Sequence, residues 1–342
     1  MFLPASQAAI FALLVISLIC WGTWANTLKL AGKWRFELYY YDFALGFALL
    51  AVVAAFTAGS LSSSELTFQE NFLVAGYRNI AYVLAAGVVF NLGNMLLTAT
   101  VSVAGMALAF SVTAAVALTV ATARALIFDS PSGMLVALVG VILLLATVVL
   151  AVYAYSTFLN SRADAVKQSG RRPTQASGAG LPVALGTAAG VALGLFRPLL
   201  DLGRVGDNGV APYGQALIFA ASILGSTILL APFFFNFPVA GAPIKFSDYF
   251  AGTRKQHALG LLGGILAGVA FLTGMLAVAA LRKAMGLNYG LSEAGPVLAV
   301  LCGLWLWGEF KGAGERPRLL SIVTLILLAA GIALLAVSQG ER

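Results

Sequence analysis

The stretch GLNYGLSEAGPVLAVLCGLWLWG, residues 286–308, is apolar over a length that crosses a lipid bilayer, and it contains one carboxylate, Glu293. A helix rises about 1.5 Å per residue, so about 20 apolar residues span the hydrocarbon core. A carboxylate at that depth costs about 2.5–3.5 kcal/mol on insertion scales, and such groups usually face a cavity or a partner. The stretch therefore indicates a membrane helix with one polar group turned inwards.

The composition of the whole chain agrees with this interpretation. Of 342 residues, 61% are hydrophobic and 10% are charged, whereas soluble domains carry about a quarter charged residues. Cys20 and Cys302 lie inside apolar runs and His257 lies in a polar connector, where we interpret it as a surface histidine. The sequence therefore predicts no disulfide framework, no metal site and no cofactor. The net charge of +7 is scattered between apolar spans, which favours loops facing anionic lipid over nucleic-acid binding.

Ten apolar segments are long enough to cross the membrane. The first has no preceding lysine or arginine and is too long for a signal-peptide core, so we expect it to be an uncleaved helix. The ten segments run near 8–31, 39–59, 78–100, 103–126, 133–157, 182–205, 212–236, 258–280, 286–308 and 318–338.

The connectors predict the orientation of the chain. Those that follow the first, fifth, seventh and ninth spans carry most of the lysine and arginine residues. The positive-inside rule places these connectors in the cytoplasm and both termini outside.

A polar, Gly/Ser-rich and basic stretch, 160–181, separates two sets of five spans. We expect it to be a cytoplasmic linker between a first five-helix repeat, 1–159, and a second, 182–342. It lacks the Gly-x-x-x-x-Gly-Lys-Ser/Thr pattern, so nothing in it predicts ATP hydrolysis.

The two sets of spans resemble each other in two registers. YDFALGFA from Tyr41 aligns with YGQALIFA from Tyr213, and AGVVF from Ala86 aligns with AGVAF from Ala267. Chance similarity between alanine-rich segments is the alternative explanation. An odd number of crossings per repeat places the second repeat upside down in the membrane, an arrangement typical of secondary transporters with a midplane site. We therefore predict an all-α membrane protein of ten helices in two inverted five-helix repeats.

Two motifs resemble a known group of transporters. CWGTWANTLKLAGKWRFELYYYDFALGFAL (20–49) resembles the opening of bacterial relatives of the plant ureide permeases, and LWLWGEFKGA (304–313) resembles the end of their ninth helix and that of the glucose/ribose porters. Both groups belong to the drug/metabolite transporter superfamily. The plant proteins carry a phosphate-loop-like sequence in a long central loop that is absent here. The resemblance implies proton-coupled movement of a small polar solute across a bacterial inner membrane.

Three charged residues are candidates for proton coupling: Glu293, Arg197 and Asp201. A carboxylic acid that is removed from water takes up a proton more readily, as coupling requires. By helical rise Arg197 and Glu293 lie at one depth, which permits an ion pair. Alternatively, Glu293 serves packing and Arg197 pairs with Asp201 one turn away. Pro198 and Pro296 predict interruptions of their helices, and interrupted helices expose backbone groups that bind polar solutes.

Aromatic, amide and hydroxyl side chains within the spans are candidates for substrate binding, because rings stack on flat solutes and amides both donate and accept. Trp and Tyr near span ends more often anchor the protein at the interface. The candidates are Trp21, Thr23, Trp24, Asn26, Asn91, Asn94, Ser111, Thr113, Asn288, Tyr289 and Ser292.

Charged and small residues outside this set have simpler explanations. Lys29, Glu37 and Asp42 lie near the cytoplasmic ends of the first two spans, where snorkelling or salt bridges explain them and a cytoplasmic gate is the alternative. The glycines of 260–268 recur every fourth residue, which predicts close helix packing.

These features favour a secondary transporter over an enzyme, because one histidine and two buried cysteines supply neither a metal cluster nor an activated nucleophile. The expected partners are a small polar substrate, a coupling proton (sodium being the alternative) and membrane lipids, with the chain a monomer or a homodimer. A translocase for lipids or lipid-linked sugars, or an exporter of amines or drugs, are the alternatives. A cavity bearing Trp21, Asn91 and Glu293 would favour a small solute, and a polar lateral opening to lipid would favour the translocase.

Overall fold

A computed structural model describes residues 1–61, 67–128, 133–168, 178–280, 286–312 and 314–340, without the side chains of 286–289 and 340. Throughout these residues the regular structure is helical. The α-helices are α1 Gln7–Thr23, α2 Asn26–Leu30, α3 Phe36–Phe56, α4 Phe68–Val74, α5 Tyr77–Ala104, α6 Met106–Phe128, α7 Met134–Gln168, α8 Gly180–Leu202, α9 Pro212–Asn236, α10 Arg254–Ala280, α11 Gly286–Glu293, α12 Gly295–Leu301 and α13 Glu315–Gly340, with 3₁₀ turns at Ala58–Ser60 and Phe246–Ala251 and a π-helical turn at Cys302–Leu306.

Nine helices in the described part of the chain are long and apolar enough to cross a membrane, with α1 and α2 counted as one. Each coincides with one predicted span. The remaining predicted span, 286–308, consists instead of α11, α12 and the π-helical turn in succession. Nine of the ten predicted spans are thus continuous apolar helices in the described structure, and the span 286–308 is divided into shorter helical pieces.

The interruption of the ninth segment follows from its sequence. α11 ends at Glu293, and α12 begins with Gly295 and Pro296 in its first turn. Proline is favoured at the start of a helix, where its missing N–H is not needed, and it cannot continue a helix from the preceding turn. Pro198 has a different outcome, because α8 continues through it to Leu202.

Close contacts between backbones hold the bundle together. A Cβ atom on Gly264 of α10 would meet the backbone of Phe43 and Phe47 on α3, and one on Gly260 would meet Asp42. Small residues allow such approach between helices in lipid, so the packing predicted for the 260–268 glycines is confirmed. The longest described helix, α7, lies against α13, the last described helix of the chain.

Two glycines make matching contacts in different parts of the bundle. A Cβ atom on Gly87 would lie 3.0 Å from the carbonyl oxygen of Phe219, and one on Gly268 would lie 3.5 Å from the carbonyl oxygen of Phe47. The corresponding helix pairs, α5 with α9 and α10 with α3, are both in contact.

Four phenylalanine rings form a cluster in the core. The ring centroids of Phe90 and Phe219 lie 5.1 Å apart, and those of Phe271 and Phe47 lie 5.7 Å apart. Phe47 and Phe219 also contact each other at 6.1 Å, so the two pairs join at the centre of the bundle.

Two expectations for polar segments differ from the structure. Residues 160–168 continue α7, so the first part of the predicted linker is helical, and 169–177 lie outside the described residues. His257 lies in the first turns of α10 and contacts the buried carboxylate of Asp42, so it is not the surface histidine that its polar neighbours indicated.

Candidate functional site

A cavity of about 120 Å³ lies among α1, α5, α6, α8, α11 and α12. It contains seven of the residues that the sequence singled out. Its principal lining side chains are Trp21, Trp24, Phe90, Asn94, Leu97, Phe110, Thr113, Leu193, Phe196, Arg197, Ser292, Glu293 and Pro296.

One end of this cavity is formed by an ion pair between Arg197 of α8 and Glu293 of α11. The Glu293 side chain is 10% exposed, whereas that of Arg197 is 44% exposed. The Ser292 hydroxyl donates a hydrogen bond to the same carboxylate oxygen, at 3.2 Å. Glu293 is the last residue of α11, so its charge lies where the helix is interrupted.

Aromatic rings form most of the cavity wall. Trp21 packs against Phe90, with centroids 5.9 Å apart, and Phe90 packs against Phe196 at 5.2 Å. Trp24 is 1% exposed and contacts Phe110 at 6.3 Å. Because these rings belong to four different helices, the packing of the bundle determines the shape of the cavity.

Two polar side chains lie among the rings. The amide nitrogen of Asn94 donates to the Tyr40 hydroxyl at 3.0 Å, and the Thr113 hydroxyl donates to the carbonyl of Gly186 at 3.1 Å. These bonds fix the orientation of both side chains at the cavity surface.

Asn91 and Ser111 lie away from this cavity. The Asn91 amide donates to the hydroxyls of Ser226 at 2.8 Å and Thr227 at 3.0 Å, so it joins α5 to α9. Ser111 lines a separate void of about 10 Å³.

Thr23, Asn26, Asn288 and Tyr289 complete the candidate set. The hydroxyl of Thr23 donates to the carbonyl of Ile19 in its own helix, at 2.7 Å. Asn26 bonds to Trp307, as described below. The side chains of Asn288 and Tyr289 lie outside the described residues.

Asp201 lies at the end of α8 in an ion pair with Arg204, at 2.5 Å. It lines a second cavity of about 260 Å³, which Arg197 and Glu293 also line. The Arg197–Glu293 pair therefore separates this outer cavity from the aromatic one. We call the second cavity the Asp201 vestibule.

At the other end of the bundle, Lys29 forms an ion pair with Glu309. Glu309 also accepts hydrogen bonds from the backbone N–H groups of Met106 at 2.7 Å and Ala107 at 2.8 Å, at the start of α6. The sequence offered a salt bridge for Lys29 but gave no partner, since the two residues are far apart in the chain.

The carboxylate of Asp42 has a further set of partners that the sequence did not reveal. It accepts hydrogen bonds from the Tyr249 hydroxyl at 2.5 Å and pairs with His257 Nδ1 at 2.9 Å. Burial, and then the bond to Asp42, raise the pKa of Tyr249 above its ordinary value. Glu37, the third charge near these helix ends, pairs with Arg35 at 2.6 Å, so Lys29, Glu37 and Asp42 each have a polar side-chain partner in the structure.

No protein-family model matches the chain. The chain is 22% identical to ureide permease 5 of Arabidopsis thaliana, over 98% of this chain and 96% of that protein. It is also 22% identical to ureide permease 2 of the same plant, over 100% of both chains. A solved structure described only as the crystal structure of a protein is 18% identical, with a TM-score of 0.49 over 97% of this chain and 98% of the other.

The full-length similarity to permeases and the membrane-length helices together support a multi-pass membrane transporter of small solutes. The same similarity agrees with a protein that is not an enzyme.

Proposed function

We propose that this protein is a secondary active transporter that moves a small polar metabolite, such as a ureide, nucleobase or sugar, across the inner membrane by alternating access and proton symport. The observation that carries the proposal is the aromatic cavity that ends at the Arg197–Glu293 ion pair. The names of the plant relatives support a ureide as one candidate substrate.

The chemistry of the cavity suits a compact, flat and polar solute. Indole and phenyl faces offer stacking surfaces, while Asn94 and the ion pair offer groups that orient a polar molecule. A volume of about 120 Å³ favours such a solute over a lipid or a lipid-linked sugar. Asn91, another candidate for substrate binding, is not among the residues that line this cavity, and its amide bonds to Ser226 and Thr227 of α9.

Repeated contacts support the two inverted repeats of this proposal. The register that aligns YDFALGFA with YGQALIFA also aligns Phe47 with Phe219, and the register that aligns AGVVF with AGVAF also aligns Gly87 with Gly268. The contact of Gly87 with Phe219 is therefore the counterpart of the contact of Gly268 with Phe47. Matched contacts in space favour duplication over chance similarity between alanine-rich segments.

The four-ring cluster supports the same relation. Phe90 aligns with Phe271, so the Phe90–Phe219 pair corresponds to the Phe271–Phe47 pair, and the two pairs meet at Phe47 and Phe219. A pseudo-twofold axis in the membrane plane passes between these two rings in the proposed architecture. The repeats are 1–159 and 182–342, joined by a cytoplasmic linker.

Glu293 carries the coupling proton in this proposal. Paired with Arg197, it is charged. In this proposal the carboxyl group binds a proton when substrate or helix movement separates it from Arg197. The proton therefore binds in one conformation and leaves in another, as symport requires.

A ligand screen tests the proposal. Purified protein is heated in detergent with ureides, nucleobases, sugars and amines, and the unfolding temperature is recorded for each. A ligand of the aromatic cavity raises this temperature, and Trp21→Leu lowers the rise. Trp305→Leu, at an exposed ring away from the cavity, keeps it. A rise that both variants lose equally, or that only amines produce, contradicts the proposed substrate class.

A further inference from the structure

Three cavities are lined by neighbouring residues of the same bundle. The aromatic cavity shares Arg197, Glu293 and three apolar residues with the Asp201 vestibule. A third cavity of about 360 Å³, which we call the Lys29 vestibule, is lined by Lys29, Lys33 and other residues. It has no described lining residue in common with the aromatic cavity. The described structure is thus closed more completely at the Lys29 end.

A layer one helical turn thick separates the aromatic cavity from the Lys29 vestibule. Trp24 and Leu97 line the cavity, and four residues further along the chain in each case Leu28 of α2 and Val101 of α5 line the vestibule. Leu28 and Val101 are 5% and 3% exposed. Their packing excludes water at this level.

Glu309 stabilises this closed layer on the side of the Lys29 vestibule. Its carboxylate accepts hydrogen bonds from the N–H groups of Met106 and Ala107 at the positive end of α6 and pairs with Lys29 near the end of the first segment. Anions at a helix N-terminus are stabilised by the unpaired N–H groups and by the helix dipole. Glu309, which directly follows the ninth segment, therefore connects the first segment to α6.

Two neighbouring features fit the same role. Trp307 donates from its indole N–H to the Asn26 side chain at 2.7 Å. Gly105 has a φ of +89°, and a Cβ atom there would collide with the Glu309 carboxylate. The backbone before α6 is therefore shaped around this carboxylate.

We propose that Lys29 and Glu309 are positioning residues that form the gate at the Lys29 end, and that their ion pair must open before the aromatic cavity reaches that side of the membrane. The proposal rests on the proposed function. When the ninth segment withdraws, Glu309 leaves both Lys29 and the N-terminus of α6, and the layer of Leu28 and Val101 parts.

The test measures access to the cavity and needs no transported substrate. In the full chain, with Cys20 and Cys302 changed to alanine, Ala114→Cys places a thiol on the cavity wall. Membrane-impermeant maleimide is added to intact cells or to inside-out vesicles. Labelling of Lys33→Cys in a separate variant shows which of the two preparations exposes the Lys29 side. We expect Lys29→Met to raise labelling of the cavity thiol from that side by about fivefold, the effect of losing one partly exposed ion pair. Glu309→Gln raises it further, because one of the two α6 N–H groups also loses its acceptor when a carboxylate oxygen becomes an amide NH₂.

Two variants serve as controls. Lys29→Arg keeps the ion pair and should keep the slow labelling of the parent. Lys33→Met removes a cation from the same vestibule and should leave labelling unchanged.

Unchanged labelling in both Lys29→Met and Glu309→Gln would overturn the gate. So would an equal rise from both sides of the membrane, which indicates a loosened fold. The labelling result and the ligand screen can fail separately. If the gate variants label as expected but no screened ligand binds, the gate is supported and the proposed substrate class is not.

Discussion

At the residue scale, the ion pair of Arg197 and Glu293 is unequally exposed. Removing the arginine leaves a nearly buried carboxylate without its cation, whereas removing the acid leaves an arginine that is almost half exposed. Loss of one partner of a buried pair is costly because the remaining charge has no compensation. We therefore expect the loss of Arg197 to destabilise the folded protein more than the loss of Glu293.

Glu293→Gln should abolish uphill accumulation of substrate driven by a pH gradient, while binding and counterflow exchange persist. The amide fills the same space but cannot carry a proton between conformations. Uptake into proteoliposomes with and without an imposed gradient measures both activities, using a ligand from the screen. Asp207→Asn, at an exposed connector carboxylate, should behave as the parent. Full accumulation by Glu293→Gln would reduce Glu293 to a packing residue.

Tyr249→Phe should change how stability depends on alkaline pH. Because the pKa of Tyr249 is raised in the folded protein, its contribution is complete below its unfolded value of about 10 and is lost as pH rises towards the folded value. Melting temperatures in detergent between pH 8 and 11 should therefore fall less steeply in the variant. Tyr77→Phe, at a ring that is 93% exposed, should follow the parent curve. Parallel curves for all three proteins would contradict the raised pKa of Tyr249.

At the scale of single elements, the apolar runs predicted nine helices well because lipid requires every backbone group to bond within its own helix. The interruption at Gly295 and Pro296 was also foreseeable, since proline removes a donor. The helical start of the linker at 160–168 was not foreseeable from polarity, because polar residues continue a helix in water as well as a loop. The contact between Lys29 and Glu309 escaped prediction for another reason: tertiary packing alone joins residues so far apart.

Gly87→Ala tests the packing between α5 and α9. The added Cβ atom would lie 2.5 Å from Cβ of Ser222 and 3.0 Å from the carbonyl of Phe219, and such overpacking costs about 1–3 kcal/mol. Gly225→Ala is the matched control, since that helical glycine has nothing within 4 Å of an added Cβ and alanine is the better helix former. Thermal unfolding in detergent should show Gly87→Ala lowered and Gly225→Ala unchanged or raised. Equal melting temperatures would contradict the close approach.

At the scale of the whole molecule, sequence patterns predicted the class of protein and much of its cavity. Trp21, Trp24, Asn94, Thr113, Arg197, Ser292 and Glu293 all line one cavity. The phenylalanines on its wall were not singled out, because apolar rings in apolar helices carry no distinguishing signal. Asn91 looked like a ligand-binding amide, but its partners on α9 are hydroxyls that only the folded bundle brings near it.

Orientation in the membrane gives a prediction at this scale. The basic connectors predict that the end of α7 lies in the cytoplasm, and one further crossing by α8 then predicts that the connector before α9 lies outside. In a chain without native cysteines, Gln168→Cys should resist an impermeant maleimide in intact cells, whereas Asp207→Cys should react. Ready labelling of position 168 from outside would reverse the topology.

The π-helical turn at Cys302–Leu306 has a consequence for the two carboxylates of the ninth segment. Its closing bond runs from the N–H of Trp307 to the carbonyl of Cys302, at 2.9 Å, so the winding there is looser than in an α-helix. Since an α-helix turns roughly 100° per residue, deleting one residue from this turn would swing Trp307 and Glu309 away from Asn26 and Lys29. The loose turn thus helps to set the angle between the Glu293 and Glu309 side chains about the axis of the ninth segment. The two carboxylates can therefore contact partners at opposite ends of the molecule.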